Sequence, residues 1–340
     1  MIAVLGAGRW GLALAHTFAT EGKDVSLWCR SPEAARQIAQ ARRHPRLGDT
    51  ILSEGVRVEG AIADALRGAE LVVFAVPTYA IGEVAGAARQ WVPDAALLLS
   101  AAKGLERRSG LPPAAFLAGE LGLHAPAERA RVGVISGPNI SEEILGGQHA
   151  ATVVACFGHK AAMDARNLCT GPILRFYSAA DIVGVQYGGA LKNVIAIAAG
   201  ISDGMGFGAN AKAALVARGM VEIAALGVAL GASQLTFWGL SGVGDCMVTC
   251  WSPLSRNRTL GELVGRGVPL PDALQQVGVA EGVDTAAAAL RLAGDAGLEL
   301  PITSAVASVL FDHVTVEAAV AALMAREPRD EVVEAPRAVR

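Results

Sequence analysis

The sequence has few cysteines and no spacing typical of a metal site. Its cysteines are Cys29, Cys156, Cys169, Cys246 and Cys250, and no two of them form a C-x-x-C pair. An odd number of cysteines without such pairs favours reduced thiols over a disulfide framework or a zinc site. The six histidines are scattered and form no ligand set. The sequence therefore predicts a cytoplasmic protein without a bound metal.

Charge and long apolar runs are also scarce. Charged residues make up 18% of the 340-residue chain, and the net charge is −3. This balance does not suit a protein that binds nucleic acid. The mean hydropathy of +0.41 reflects abundant alanine and glycine, because charged residues interrupt the apolar runs before they reach the roughly 18–20 residues of a spanning helix. We therefore expect no membrane span.

What is present is a glycine-rich turn near the start of the chain. The apolar run Ile2–Leu5 predicts a strand, which a helix follows. Between them, Gly6, Gly8 and Gly11 fit the G-x-G-x-x-G pattern. In this context the glycines allow a tight turn, a close approach of pyrophosphate to the backbone, and close packing of helix on strand. The helix N-terminus offers N–H groups to phosphate. We therefore predict a dinucleotide site; the alternative is a tight turn without a ligand.

The end of the second predicted strand bears on the choice of cofactor. A site specific for NAD usually has Asp or Glu there, but Val25–Trp28 is followed by Cys29 and Arg30. A guanidinium at this place can pair with the 2′-phosphate of NADP. We therefore predict NADP as the preferred cofactor, with NAD tolerated. The alternatives are that Arg30 stacks on adenine or is only solvated.

Apolar runs alternate with helical segments as far as residue 180. Further strands are predicted at 56–58, 70–77, 96–100, 131–136, 151–156 and 173–177. This alternation predicts an α/β domain over residues 1–180, with an open, mainly parallel, doubly wound sheet of seven or eight strands. Lys103 follows a strand end, where α/β folds bind ligands; an exposed loop lysine is the alternative. Gly137 and Asn139 offer polar groups at another strand end, and Ser141 is expected to cap the next helix.

The second half of the chain is predicted to be all-α. Helical segments are expected at 190–201, 210–231, 259–266, 271–277, 282–297 and 302–325. They form a domain over residues 181–325, and the polar tail 326–340 is predicted to be disordered. Within this domain a few polar residues interrupt an Ala/Gly-rich background, as expected of an anion site: Lys192, Asn193, Asp245, Thr249 and the cluster Ser255-Arg256-Asn257-Arg258.

These motifs resemble those of a known family. The segments GAGRWG, VPTYA, AAKGLE, SGPN, GVQYGGALKNVIAIAAGISDGMGFGANAKAALVARG, GLSGVGDCMVTC, SRNR and VAEGVDT are similar to segments of the soluble, bacterial-type NAD(P)-dependent sn-glycerol-3-phosphate dehydrogenases. The resemblance covers roughly residues 1–325. It implies a Rossmann domain followed by a helical domain, and usually a homodimer. The implied reaction interconverts glycerol 3-phosphate and dihydroxyacetone phosphate, supplying glycerol 3-phosphate for phospholipid synthesis.

The resemblance also implies residue roles. It makes Lys192 the general base, with Lys103 and Asp245 beside it. The implied substrate contacts add Gly137, Asn139, Asn193, Thr249, Ser255, Arg256 and Asn257 to these three. The implied cofactor contacts are Gly6, Gly8, Arg9, Trp10, Gly11, Arg30, Lys103, Ser141, Arg256, Val279 and Glu281. Two other hypotheses remain: a dehydrogenase of the same build acting on a hydroxy acid, and a non-catalytic NADPH-binding sensor.

Overall fold

An eight-stranded sheet forms the first part of the chain. The computed structural model describes residues 1–328, 330 and 331. The strands are β1 Ile2–Leu5, β2 Val25–Trp28, β3 Val56–Glu59, β4 Leu71–Phe74, β5 Leu97–Ser100, β6 Val132–Ser136, β7 Ala150–Cys156 and β8 Leu174–Ala179. Their order is β3-β2-β1-β4-β5-β6-β7-β8, and the neighbours are parallel except β6 and β7. The predicted open, mainly parallel sheet is confirmed.

Helices cover both faces of this sheet. They are α1 Arg9–Thr20, α2 Pro32–Ala41, α3 Ile62–Leu66, α4 Ile81–Ala88, α5 Pro113–Glu120, α6 Pro126–Arg129, α7 Ser141–Leu145 and α8 His159–Cys169. Alternate residues of β1 pack into two separate apolar clusters: Ile2 and Val4 belong to one, and Ala3 and Leu5 belong to the other. Because successive strand side chains point to opposite faces, this division shows a core on each side of the sheet.

Helix α7 begins one residue differently from the sequence prediction. Ser141 was expected to cap it, but Ile140 occupies the N-cap and Ser141 is the first helical residue. That correction has a local reason, since the backbone of Ile140 is extended and that of Ser141 is already helical. The N-cap of a helix is the last residue with non-helical geometry.

The strand order reverses direction at β1. Here β1 lies between β2 and β4, and the chain leaves β1 and β4 through Gly6 and Ala75 respectively. In open α/β sheets the crevice beyond the carboxyl ends of strands at such a reversal is where ligands bind. The G-x-G-x-x-G turn lies in this crevice.

From residue 181 to residue 328 the structure contains helices and turns but no strand. The helices are α9 Ile182–Gly204, α10 Ala209–Ala229, α11 Asp245–Trp251, α12 Arg256–Gly265, α13 Leu270–Val277, α14 Glu281–Asp295, α15 Pro301–Phe311 and α16 Val316–Met324. The predicted all-α character is confirmed. Residues 329 and 332–340 of the predicted tail lie outside the described residues.

Several predicted helix boundaries were wrong. Helix α9 begins at Ile182 rather than 190, because Asp181 caps it by accepting a hydrogen bond from Gly184 N. Helix α11 was not predicted. The single helix expected at 302–325 is two helices, since Thr315 caps α16 and His313 takes a left-handed φ of 56° in the link.

Helix α9 is the core of the helical region. With 23 residues it is long and apolar enough to cross a membrane by length and composition, so the expectation that charges exclude such a run was too strong. However, 94% of its apolar window is buried inside the fold. The helix therefore packs within the protein and does not span a membrane.

Glycines bring α9 and α12 into backbone contact. A Cβ added to Gly200 of α9 would lie 1.9 Å from the carbonyl oxygen of Arg258, and one added to Gly261 of α12 would lie 2.0 Å from that of Ile197. No side chain fits at such distances. This packing fixes the first turn of α12 relative to α9, and both helices carry predicted site residues.

Candidate active site

The centre of the site is a carboxylate held between two lysines. Asp245 is the first residue of α11, Lys192 lies midway along α9, and Lys103 follows β5. Lys192 Nζ donates to Asp245 Oδ1 at 2.5 Å, and Lys103 Nζ donates to Asp245 Oδ2 at 2.8 Å. Asp245 is 1% exposed and Lys192 is 5% exposed. The structure thus brings together the three residues predicted to be catalytic.

Glycines allow these elements to approach one another. A Cβ on Gly188 of α9 would lie 2.8 Å from the carbonyl oxygen of Ser241, and one on Gly189 would lie 2.4 Å from Ser136 Oγ. Gly242 lies in the irregular turn before α11, where a Cβ would meet the carbonyl oxygen of Phe237 at 2.1 Å. The glycine pair preceding Lys192 therefore lets α9 contact both the end of β6 and the turn that presents Asp245.

Burial and the neighbouring opposite charges have opposing effects on the pKa values of Lys103 and Asp245. Burial lowers the pKa of Lys103 to about 8, with Lys192 adding to the effect and Asp245 opposing it. Burial alone would raise the pKa of Asp245, but the ammonium groups of Lys103 and Lys192 hold it below its usual range. The carboxylate therefore stays ionised while Lys103 can change protonation state near neutral pH.

Thr249 completes the environment of Lys192. It lies four residues after Asp245, one turn along α11, so both side chains face α9. Lys192 Nζ donates to Thr249 Oγ1 at 2.5 Å, and this hydroxyl donates to the main-chain oxygen of Asp245 at 2.6 Å. The ammonium group is thereby held in one orientation by two oxygens.

Two amides link the site to Lys103. Asn193 Nδ2 donates to the main-chain oxygen of Lys103 at 2.7 Å, and Asn257 Nδ2 donates to Asn193 Oδ1 at 3.0 Å. Asn257 Oδ1 in turn accepts from Gly282 N at 3.0 Å. Both predicted asparagines thus lie at the site and tie three helices to the end of β5.

The loop after β6 lies against Lys103. Gly137, with φ of +132°, accepts a hydrogen bond from Lys103 Nζ at 2.6 Å through its carbonyl oxygen. Asn139 Nδ2 donates to Thr152 Oγ1 at 3.0 Å. Within the described part of the chain, Asn139 Oδ1 and Ser136 Oγ are buried without a partner. The end of β6 and the loop after it therefore carry polar groups without a partner.

The residues of the serine–arginine cluster have different surroundings: Ser255 and Arg258 bond within the protein, and Arg256 is exposed. Ser255 caps α12, its Oγ accepting from Arg258 N at 3.3 Å. The guanidinium of Arg258 pairs with Asp203 at 2.6 Å and with Glu262 at 3.1 Å. Arg256, by contrast, is exposed and makes no hydrogen bond or ion pair with the described residues. Arg256 is therefore available to an anion, whereas Arg258 anchors the helix.

The glycine-rich turn fits a dinucleotide. Gly6 has φ of +119°, and a Cβ there would lie 2.7 Å from the carbonyl oxygen of Ala75; a Cβ on Gly11 would lie 1.9 Å from that of Gly6. Gly8, the N-cap of α1, gives the helix no side-chain cap, and a Cβ there would approach only the carbonyl oxygen of Ala75, at 3.8 Å. Trp10 Nε1 is buried without a partner among the described residues. The uncapped N–H groups of α1 thus suit a phosphate.

The other predicted cofactor residues differ in their exposure and in the groups to which they are bonded. Arg9 is bonded to Glu142, whereas the side chain of Arg30 is 75% exposed, with Glu83 at 3.7 Å. Ser141 is buried at the start of α7, and Val279 precedes α14. The carboxylate of Glu281 is bonded within the protein, to groups on the loops after β4 and β5.

Sequence reasoning missed two contacts at the crevice. Thr78 Oγ1 donates to Glu281 Oε1 at 2.8 Å, although the residues are 203 positions apart. Arg46, in the segment between α2 and β3, donates to the main-chain oxygen of Ala7 at 3.0 Å. Pro77, the last residue of the predicted strand 70–77, directly precedes Thr78, but no local signal identifies Arg46.

This fold and site define a Rossmann-type dehydrogenase with a helical C-terminal region. Two family profiles match the chain: NAD-dependent glycerol-3-phosphate dehydrogenase N-terminus over residues 1–162, and the C-terminus of the same family over residues 181–321. The chain belongs to the NAD-dependent glycerol-3-phosphate dehydrogenase family, and the resemblance seen in the sequence is confirmed.

Individual relatives are similar to this chain over nearly its whole length. The glycerol-3-phosphate dehydrogenase (NAD(P)+) of Moorella thermoacetica is 45% identical over 340 residues, covering 98% of each chain. That of Frankia casuarinae is 44% identical, covering 97% of each. The crystal structure of glycerol-3-phosphate dehydrogenase from Coxiella burnetii superposes with a TM-score of 0.87 at 31% identity, covering 96% of this chain and 98% of that one.

Proposed function

We propose that this protein is an NAD(P)-dependent glycerol-3-phosphate dehydrogenase. It interconverts sn-glycerol 3-phosphate and dihydroxyacetone phosphate and supplies glycerol 3-phosphate for phospholipid synthesis. The observation that carries this proposal is the buried Lys103–Asp245–Lys192 cluster at the edge of the dinucleotide crevice. Such a cluster suits proton transfer to or from the oxygen of a ketone or alcohol, and family membership supplies the substrate.

Lys192 transfers the proton. In the oxidising direction its neutral amine removes the proton of the C2 hydroxyl while C2 gives up its hydride. In the reducing direction the ammonium group polarises the C2 carbonyl and then protonates the oxygen. Asp245 and Thr249 hold Lys192 Nζ in place through the bonds at 2.5 Å. The nicotinamide cofactor accepts or supplies the hydride.

The substrate lies between the lysines and the start of α12. Arg256 binds the phosphate, because its exposed guanidinium can contact two phosphate oxygens. Asn257 and Asn193 bind the glycerol hydroxyls, and Lys103 contacts the reacting oxygen. The further substrate-binding residues in this proposal are Gly137, Asn139, Thr249 and Ser255.

The cofactor is NADP by preference and NAD as an alternative. Arg30 is the residue that favours NADP, since its guanidinium is exposed beyond β2. The remaining cofactor-binding residues in this proposal are Gly6, Gly8, Arg9, Trp10, Gly11, Lys103, Ser141, Arg256, Val279 and Glu281. We further propose two domains with a boundary near residue 180, a homodimer, and a cytoplasmic location.

The test is NADPH oxidation with dihydroxyacetone phosphate, for the native protein and Lys192→Ala. We expect turnover that falls by about 10²–10⁴-fold in the variant, while NADPH affinity measured by fluorescence is retained. Lys160→Ala is the matched control, because Lys160 forms an ion pair on the surface, with its side chain 88% exposed. Tight NADPH binding without turnover would instead support a sensor, and preference for a 2-keto acid would support a hydroxy-acid dehydrogenase.

A further inference from the structure

One carboxylate of the helical region holds two loops of the sheet region. Glu281 is the first residue of α14, and its Oε1 accepts from Thr78 N at 3.0 Å and from Thr78 Oγ1 at 2.8 Å. Its Oε2 accepts from Lys103 N at 3.3 Å. Thr78 follows β4 and Lys103 follows β5, which are neighbouring strands. Glu281 therefore joins two strand ends of the crevice to α14.

Lys103 is held by its main chain from both sides. Its N–H donates to Glu281, and its carbonyl oxygen accepts from Asn193 at 2.7 Å. Asn193 bonds to Asn257, and Asn257 accepts from the N–H of Gly282, the residue after Glu281. The bonds form a closed ring that starts and ends on α14. The helical region thus fixes the peptide of Lys103 independently of the bonds that its ammonium group makes to Asp245 and to the main-chain oxygen of Gly137.

The fit around this contact is tight. A Cβ on Gly104 would lie 2.9 Å from Thr78 Oγ1 and 3.1 Å from the Cβ of Glu281. Such separations are shorter than ordinary packing contacts. The loop after β5 therefore approaches Glu281 as closely as it does because residue 104 is a glycine.

We propose that Glu281 is a positioning residue, which holds the Lys103 peptide in register with Asp245 and Lys192 and thereby aims the Lys103 ammonium group at the reacting oxygen. This proposal rests on the proposed function and is separate from the cofactor contact that the family resemblance implies for Glu281. A misplacement of about 1 Å at a reacting group can lower a rate about 10²-fold, so a contact of this kind can control turnover.

The charge of Glu281 acts on Lys103 as well. The titratable groups that face Lys103 are Asp245 on α11, Lys192 on α9 and Glu281 on α14. Asp245 and Glu281 raise the pKa of Lys103, while burial and Lys192 lower it to about 8. Removing the charge of Glu281 should therefore lower this pKa further. Because this effect depends on charge alone, a variant that keeps the charge but shortens the side chain is needed to isolate the positioning role.

Three variants separate charge from geometry. Glu281→Gln removes the charge and turns a donor toward the main-chain N–H groups, whereas Glu281→Asp keeps the charge but shortens the side chain by one methylene. Asp284→Asn is the matched control, since Asp284 lies in the same first turn of α14 and faces Arg107 at 3.6 Å. For each, the pH dependence of Lys103 acetylation by acetic anhydride is followed by mass spectrometry on the protein without substrate or cofactor.

We expect Glu281→Gln to lower the Lys103 pKa, Glu281→Asp to leave it near the native value, and Asp284→Asn to leave it unchanged. Turnover at saturating NADPH and dihydroxyacetone phosphate should fall about 10–10²-fold in both Glu281 variants, a loss larger than any that weaker NADPH binding causes. An unchanged Lys103 pKa in Glu281→Gln would overturn the proposal. So would a rate loss fully accounted for by weaker NADPH binding. Because acetylation needs no turnover, its result stands even if dihydroxyacetone phosphate is not the substrate.

Discussion

The two halves of the site differ in how far their polar groups are satisfied before a ligand binds. On the sheet side Arg30 is 75% exposed, and Trp10 Nε1 is buried without a partner in the described chain. On the helical side Lys192 and Asp245 are buried and bonded to each other. The cofactor side thus leaves groups for the ligand to satisfy. The chemical side is preorganised, so it needs little rearrangement during the reaction.

Asp245→Asn tests the preorganised half most severely. Without the carboxylate two buried ammonium groups face each other, and we expect turnover to fall about 10²–10³-fold. Since Asp245 raises the pKa of Lys103, that pKa should fall below its native value of about 8. If protonated Lys103 is the active form, the alkaline limb of the pH–rate profile then moves to lower pH. NADPH affinity should change little, because the crevice is untouched.

The matched control is Asp164→Asn, which removes a carboxylate from an exposed pair with Lys160 at 2.6 Å. Surface pairs of this kind contribute little, so rate and pH profile should stay native. Equal effects in the two variants would mean that the buried cluster has no special role.

The features of the site that depend on residues close together in the sequence could be predicted, and those that depend on distant residues could not. The glycine-rich turn was predictable because Gly6, Gly8 and Gly11 act within a few residues of one another. The Asp245 contacts were not, because its partners Lys103 and Lys192 lie 142 and 53 positions away. The sequence marked each of the three as a candidate, Lys103 by its strand end and Lys192 and Asp245 by their Ala/Gly-rich surroundings, but their shared catalytic role came only from the family resemblance, because spacing alone gives no reason to bring them together.

Details that the fold prediction did not give also have physical causes. The reversal of β7 is not encoded in its apolar run. The link from β6 carries only the five-residue α7, which spans about 8 Å, whereas a return along five-residue β6 needs about 16 Å. Helix α11 was missed because its seven residues follow a glycine-rich segment that resembles a loop. The direction of a strand and the formation of a short helix depend on connection length and packing.

Gly261→Ala asks whether preorganisation depends on contact between α9 and α12. Its Cβ would lie 2.0 Å from the carbonyl oxygen of Ile197, so we expect a loss of about 3 kcal/mol in the free energy of unfolding. Because Asn257 lies on α12 and Lys192 on α9, the KM for dihydroxyacetone phosphate should rise as well. Urea denaturation and steady-state kinetics measure the two effects.

Gly294→Ala is the control for that helix–helix contact. Gly294 lies in α14 with nothing within 4 Å of an added Cβ, so alanine should stabilise the protein by up to about 1 kcal/mol. A stable, fully active Gly261→Ala protein would show that backbone contact between α9 and α12 is not what aligns the site.

Glu222→Ala should weaken the helical region without touching the site. Its buried carboxylate accepts from Ile302 N at 2.5 Å and from Thr303 N at 3.0 Å, which caps α15. Leaving these donors buried and unpaired should lower the free energy of unfolding by about 2 kcal/mol, with KM unchanged. Glu54→Ala, in an exposed loop, is the control and should stay within about 0.5 kcal/mol. A raised KM in Glu222→Ala would connect this cap to the site.

The difference in free energy of unfolding between the native protein and Glu222→Ala should depend on pH. Burial raises the pKa of Glu222, and the hydrogen bonds from Ile302 and Thr303 only partly oppose it. A carboxyl group whose pKa is higher in the folded state contributes most stability below its unfolded pKa, and loses that contribution as pH rises through the folded pKa. The gap between native protein and Glu222→Ala should therefore widen as the pH is lowered toward the unfolded value.

Arg30→Ala should produce the smallest effect and tests the open half of the site. If the guanidinium binds the 2′-phosphate, NADPH affinity should fall about tenfold, equivalent to about 1.4 kcal/mol, while NADH affinity stays constant. Arg36→Ala, an exposed arginine on the neighbouring α2, should change neither. Isothermal titration with both cofactors separates the alternatives. An equal loss for NADPH and NADH would mean that Arg30 stacks on adenine, which both cofactors share. No loss for either would mean that it is only solvated, and cofactor preference would then depend on other residues of the crevice.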